Sequence, residues 1–276
     1  ELVSPYYAPT QMRGLLVHGR ITGTTPNPNE FGALMVLASS LALSGALFYR
    51  EWKLSLFCWC SLFVYGIALF LTLSRTSLVC LFLAGLIIVF LFFREKGLRG
   101  KFNRILIVAL LGCLLVVLLL QIMPEKAFTR FGELRTFTEA TSFQARVEAW
   151  KVHFDIWLGS PLFGWGPGKG EMSTIVDNEW LLILRRYGLV GLMVFISLFG
   201  CLFLGLPKTG TDNSDPSVKA LIVALKGTFI SYGLYMMLSS VYHSMQLMPI
   251  LLLFVGLAYT QRQSTASLKS WEVLKS

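Results

Sequence analysis

Three positions in this sequence put charge where an apolar chain does not ordinarily hold it. The first is Arg75, in Leu73-Ser74-Arg75-Thr76-Ser77, between two long uncharged runs with almost no loop between them. Ser74 and Thr76 are both good N-cap residues for the second run. The first turn of a helix adds free amides and a partial positive charge, so an arginine there would complete an anion site. A planar guanidinium can grip a phosphate through two parallel hydrogen bonds. The plainer reading is a turn arginine lying against lipid headgroups. The second position is Arg146. Phe143, Val147, Trp150, Phe154, Trp157 and Leu158 recur at helical spacing. At about 100° per residue, Arg146, Trp150, His153 and Trp157 form one narrow stripe, with Glu148, Lys151 and Asp155 on the other side. This is either an interfacial helix with tryptophan anchors and a snorkelling arginine, or an arginine held over a cleft at membrane level. The third position is Asp177-Asn178-Glu179-Trp180, which opens an apolar run. Asp177 or Asn178 would serve as the helix cap. Two carboxylates flanking an amide could also accept a proton or bind sugar hydroxyls. Arg185-Arg186, one to two turns further on, is a rival phosphate site.

Other segments carry weaker signals. Gly19-Arg20 through Pro26-Asn27-Pro28-Asn29-Glu30 leads into the first apolar run, with prolines to stiffen it and Asn29 able to cap the helix. Pro161-Leu-Phe-Gly164-Trp165-Gly166-Pro167-Gly168 reads as a rigid turn presenting Trp165, whose face could stack on a sugar ring or anchor in the interface. His18, His153 and His243 are far apart in sequence and lack metal-ligand spacing. The five cysteines lie in apolar runs and read as inert buried thiols.

The elements that must position these residues follow from composition. Of 276 residues 55% are hydrophobic and only 14% charged, and mean hydropathy is +0.65. A soluble domain carries about 25% charged residues, so a soluble enzyme and a disordered chain are both excluded. A helix needs about 20 apolar residues to cross a bilayer core. Seven stretches qualify or nearly so: 31–49, 54–73, 76–93, 105–122, 187–206, 220–242 (interrupted by Lys226) and 245–260 (short, with Pro249). The expected fold is an all-α polytopic membrane protein, with about seven transmembrane helices and one long external loop carrying an amphipathic interfacial helix. Residues 1–122 would hold an N-terminal external segment and four spans, 123–178 the loop, and 179–276 three spans and a cytoplasmic tail. The cluster Arg94, Lys96, Arg99, Lys101 and Arg104 orients the chain. Placing it in the cytoplasm puts most of the +9 net charge inside as topology rather than as a nucleic-acid surface. Arg75, Arg146 and Asp177 are then left outside. A lone Lys226 within a span would also suit a transporter, although no inverted repeat is seen.

Taken in order, Gly19-Arg20 with Asn27-Pro28-Asn29, Thr72-Leu73-Ser74-Arg75, Arg146 with Trp150, Pro161–Gly168, and Asp177-Asn178-Glu179-Trp180 with Tyr187-Gly188-Leu189-Val190-Gly191 resemble the bacterial O-antigen ligase and O-antigen polymerase superfamily. The likeness runs from about residue 19 to about residue 195. Family members usually have about ten to twelve spans, and the chain begins at Glu1 without methionine or signal peptide, so it is expected to be the C-terminal part of a larger fold. The resemblance implies a multi-span glycosyltransferase of the bacterial inner membrane, working on its outer, periplasmic face. It would move glycan from undecaprenyl diphosphate to a glycan or lipid acceptor, with inversion and without a metal or other cofactor. The family's two diphosphate-binding arginines fall on Arg75 and Arg146. Asp177 would act on the acceptor hydroxyl, with Arg20, Asn29, Trp165, Asn178 and Glu179 lining the substrate site. Ligases typically carry a histidine where this chain has Asp177-Asn178-Glu179, which favours a polymerase; the general base is left among Asp177, Glu179, His153 and His243. The alternatives are a ligase acting on lipid A core, a transporter, and a non-catalytic subunit of a polysaccharide-assembly complex. Membrane lipids are expected partners and nucleic acid is not.

Overall fold

The computed structural model describes residues 16–17, 20–23, 25, 27–96, 141–167, 177–207, 215–239 and 246–260. Its helices are α1 (Pro28–Phe48), α2 (Trp52–Leu71), α3 (Arg75–Lys96), α4 (Thr141–Leu158), α5 (Glu179–Gly205), α6 (Pro216–Leu238) and α7 (Leu247–Thr260). A two-residue antiparallel ladder, Leu16–Val17 with Arg20–Ile21, precedes them. The helices α1, α2, α3, α5 and α6 are each long and apolar enough to cross a membrane, and α7 is a shorter apolar helix. The chain is an all-α polytopic membrane protein. The expected span over 105–122 lies outside the described residues.

The caps explain where the helices begin. Asn27, not Asn29, caps α1: its side chain accepts from the Asn29 amide, and Pro28 fills the first turn, where a missing N–H costs nothing. Ser74 caps α3 by accepting from the Ser77 amide at 3.4 Å, which makes Arg75 the first helical residue and places Thr76 inside the helix. Asp215 caps α6 in the same way.

The core lies between α1, α3 and α6. Ala33, Val36 and Leu37 of α1 and Cys80 of α3 meet Leu225, Phe229 and Tyr232 of α6. Association in lipid cannot rely on the hydrophobic effect, so close approach of small residues and buried hydroxyls matters more. Ser44 accordingly donates to the Ala220 carbonyl at 2.7 Å, and Tyr232 donates to the Ala33 carbonyl at 2.6 Å. Phe48 and Phe92 meet edge to face at 5.2 Å. These contacts gather the end of α1, the end of α3 and the start of α6 at one end of the bundle, with Arg50, Arg94 and Lys219. Arg75 lies at the opposite end.

One expectation is corrected. The cysteines are not uniformly buried: Cys80 is, but Cys60 and Cys201 are exposed on the apolar faces of α2 and α5. Lys226 donates its ammonium to the Pro207 carbonyl at 3.0 Å, as a lysine reaching back to the chain at the Arg94 end would.

The larger surprise is α5. Gly188 has φ 64° and ψ −165°, so the helix breaks there. A continuous helix would separate Trp180 from Phe195 by about 22 Å and from Phe199 by about 28 Å. Their ring centroids are instead 5.6 and 6.4 Å apart. The limbs Glu179–Tyr187 and Leu189–Gly205 therefore fold back on one another as a hairpin. The sequence places the start of the span at Tyr187; in the structure the descending limb begins just past Gly188, and the residues before it form a separate short helix.

Candidate active site at the Arg75 end

Two constellations stand at this end, built from different helices. The first joins α1, α3 and α6. The Tyr235 hydroxyl donates to the Asn29 carbonyl at 2.6 Å and lies 2.7 Å from the Ser77 hydroxyl. The Ser74 and Ser77 hydroxyls are 2.8 Å apart. This buried hydroxyl chain fixes the first turn of α3, and with it Arg75, against α1. Asn29 thus takes part through its main chain. Arg75 itself is half-buried. Nothing in the sequence pointed to Tyr235, because a tyrosine in an apolar run reads as core.

The second constellation joins α4 and α5. Arg146 and Asp177 form an ion pair, Nε to Oδ2 3.2 Å, with both side chains about 30% exposed. Asn178 supplies the cap of α5, its side chain accepting from the Leu181 amide at 3.1 Å. The two readings of Asp177-Asn178 are thereby divided between the two residues: the amide caps, and the neighbouring carboxylate is left to face Arg146. Glu179 is fully buried. Two turns along both helices, the Arg185 guanidinium lies 2.9 Å from Nδ1 of His153. His153 is fully buried and Arg185 nearly so, whereas Glu148, Lys151 and Asp155 are exposed, so the stripe read from the sequence is the packed face of α4.

Between α4 and the two limbs of α5 opens a cavity of about 630 Å³, whose lining includes Trp150, Lys151, Asp155, Asn178, Trp180 and Leu192. It offers aromatic faces beside an amide, a carboxylate and an ammonium. Trp180 closes its inner side. Its indole N–H donates to the Gly233 carbonyl of α6 at 3.2 Å, and its ring packs on Phe195 and Phe199. Those two phenylalanines line a second, wholly apolar cavity of about 110 Å³ between α5, α6 and α7. Trp180 therefore stands between a polar cavity and an apolar one. Gly233 and Tyr235 are two residues apart on α6, so both constellations rest on the same turn of that helix, on nearly opposite faces.

The turn after α4 locks the arrangement. The amides of Trp165 and Gly166 donate to the carbonyls of Arg185 and Arg186 at 3.0 and 2.8 Å. In return the amides of Leu189 and Val190 donate to the carbonyls of Pro161 and Leu162 at 2.9 and 3.1 Å. The main-chain groups freed by the break in α5 are thus satisfied by residues 161–166. A Cβ on Gly188 would strike the Leu162 carbonyl, and one on Gly164 would come within 2.6 Å of the Gly188 amide nitrogen, so each glycine makes room for the backbone of the other segment. Trp165 is half-exposed as expected, with its indole donating to the Ile156 carbonyl at 2.6 Å. Arg20 pairs with Val17 in the small ladder. His18 and His243 lie outside the described residues. Among the described residues no group of three or more metal-ligating side chains comes together.

The fold and this site define a class: a polytopic membrane protein with an aromatic-lined cavity and an arginine–aspartate pair at one end of its bundle. The O-antigen ligase family profile matches residues 56–196, more than half of the chain. The protein belongs to that family, and a membrane glycan-transfer function of the O-antigen ligase type follows. No curated protein matches the chain. The matched stretch contains Arg75, Arg146, Trp165, Asp177, Asn178 and Glu179; Arg20 and Asn29 fall before it.

Proposed function

We propose that the protein is an inverting, metal-independent glycosyltransferase that polymerises undecaprenyl-diphosphate-linked oligosaccharide at the periplasmic face of the bacterial inner membrane. The observation that carries the reading is the partly exposed Arg146–Asp177 pair, whose chain neighbours Val147 and Asn178 line the cavity between α4 and α5. A diphosphate leaving group gathers negative charge as its bond to the sugar breaks. Arg146 and Arg75 would stabilise that charge, Arg75 from the first turn of α3, where helix amides assist it. Release of Asp177 from Arg146 as the phosphate takes over the guanidinium would free its carboxylate to orient or deprotonate the acceptor hydroxyl. The aromatic and polar lining, Asn178 included, suits the sugar; contacts from Glu179, Trp165, Arg20 and Asn29 would have to come from outside that lining. The apolar cavity behind Trp180 suits part of the prenyl chain.

His153 is a poor general base in this geometry. It is fully buried, and its Nδ1 faces a guanidinium rather than the cavity. That supports the polymerase over the ligase. The ligase, attaching glycan to lipid A core, is kept as the second reading because the matched family carries that description. Lipid-linked glycan transfer by Arg75→Ala and Arg146→Ala variants tests the site, and unchanged rates in both would sink it. The surface-polysaccharide pattern of a deletion strain divides the two readings. A polymerase leaves single repeats attached and loses long chains, whereas a ligase loses attached glycan altogether.

A further inference from the structure

We propose that His153 and Arg185 form a positioning pair that holds α4 in register on α5, and that the pair works only while His153 is neutral. The proposal rests on the reading above that Arg146 and Asp177 belong to the transfer site.

The two helices are joined by two polar rungs. One is Arg146–Asp177, about 30% exposed. The other is His153–Arg185, buried. His153 follows Arg146 by seven residues, two helical turns, so both point to the same side of α4. Arg185 follows Asp177 by eight residues along the short limb of α5. The rungs therefore run the same way along both helices, and a slip or tilt of α4 at the buried rung moves Arg146 at the open one.

An arginine in a protein has no lone pair to offer and does not give up its proton. The 2.9 Å contact is therefore a guanidinium N–H donated to the Nδ1 lone pair, which requires a neutral imidazole with its proton on Nε2. Protonating Nδ1 removes the acceptor and sets two cations against each other where little water screens them. Among the described residues, these charges lie on the elements packed around the pair. From α5 come Arg186, the buried Glu179 and Asp177; from α4 come Arg146 two turns back and the exposed Lys151 and Asp155; the turn over residues 159–166 contributes none. Arg185 also holds that turn through its main chain, as its carbonyl receives the Trp165 amide. Its guanidinium, nearly buried against His153, is not placed to bind a substrate phosphate.

The test uses the full-length protein in proteoliposomes, with lipid-linked glycan extracted from membranes of a strain deleted for it. Turnover and apparent KM are measured from pH 8 to pH 5 for wild type, His153→Ala and His153→Asn. Asparagine can place its Oδ1 near the position of Nδ1 and does not titrate. His153→Ala is expected to lower kcat by about 10²-fold with little change in KM, the scale on which a misplacement of about 1 Å acts. Wild type is expected to lose activity once the pH is low enough to protonate His153, by about tenfold per unit where the neutral form is minor. His153→Asn is expected to keep most of the neutral-pH kcat and to lose that acid limb. An acid limb in His153→Asn identical to the wild-type one overturns the proposal, as does a wild-type kcat in His153→Ala. Arg146→Ala is run alongside: full activity there overturns the site itself, whereas loss of activity there with an unchanged acid limb in His153→Asn overturns the positioning pair alone.

Discussion

Replacing Gly188 by alanine is the sharpest test of how the α5 hairpin is built. Its φ of 64° and ψ of −165° lie in a region essentially confined to glycine. Forcing an L-residue there costs about 1–3 kcal/mol. The added methyl would also collide with the Leu162 carbonyl and press on the Phe163 amide, at 2.5 Å. Both belong to the turn that satisfies the break, so the turn must retreat, which breaks or weakens the four main-chain bonds between residues 161–166 and 185–190. At about 1 kcal/mol each, losing even two brings the total to about 3–5 kcal/mol. Gly166 is the internal control. It too has positive φ, 81°, but a Cβ there meets nothing within 4 Å, so its alanine variant bears backbone strain alone. For a chain of this size 1 kcal/mol moves the unfolding midpoint by about 2–4 °C. In detergent, with tryptophan emission as the probe, Gly188→Ala should melt about 10 °C below wild type, and Gly166→Ala by less than half of that. Gly164→Ala, which would place its methyl 2.5 Å from the Arg186 carbonyl carbon, should resemble Gly188→Ala. If Gly188→Ala melts with wild type, or no lower than Gly166→Ala, the interlock is wrong.

Other consequences are as direct. Asp177→Asn keeps the shape and removes the charge facing Arg146; glycan transfer should fall by at least about 10²-fold with the fold intact by circular dichroism. Tyr235→Phe deprives the Asn29 carbonyl and the Ser77 hydroxyl of their partner, costing about 1–3 kcal/mol in thermal unfolding and loosening the turn that carries Arg75. Lys226→Met should leave transfer unchanged, because the ammonium meets the Pro207 carbonyl at the end of the bundle away from Arg75; a large loss of activity would return it to a functional role.

The membrane class and most helices were legible, because an uncharged run of 20 residues has few other fates. So was the face of α4: a stripe at 100° spacing put His153 among aromatics, and it is buried. What escaped was contact between elements. Asp177 and Asn178 are equally good caps on paper, and only the approach of Arg146 separates them. His153 and Arg185 each stood out singly, but no spacing rule joins residues 32 apart on two helices. The hairpin was hidden for another reason. Gly188 sits in a run whose hydropathy is that of a single span, and one glycine in such a run costs a helix only about 1 kcal/mol. Its meaning depends on Gly164, in a turn that binds by main-chain atoms and leaves no side-chain pattern.

The folding back of α5 also shortens what crosses the bilayer. The descending limb, Leu189–Gly205, rises about 25 Å at 1.5 Å per residue. The hydrocarbon core is about 30 Å thick. A span that short is accommodated by drawing the lipid surface toward it, or by seating its end below that surface. Either way the Gly188 turn and the cavity beside it lie at the depth of the headgroup phosphates rather than above them. A lipid-linked substrate would then reach the proposed site without being lifted out of its leaflet, and local membrane thickness would be a variable of the reaction.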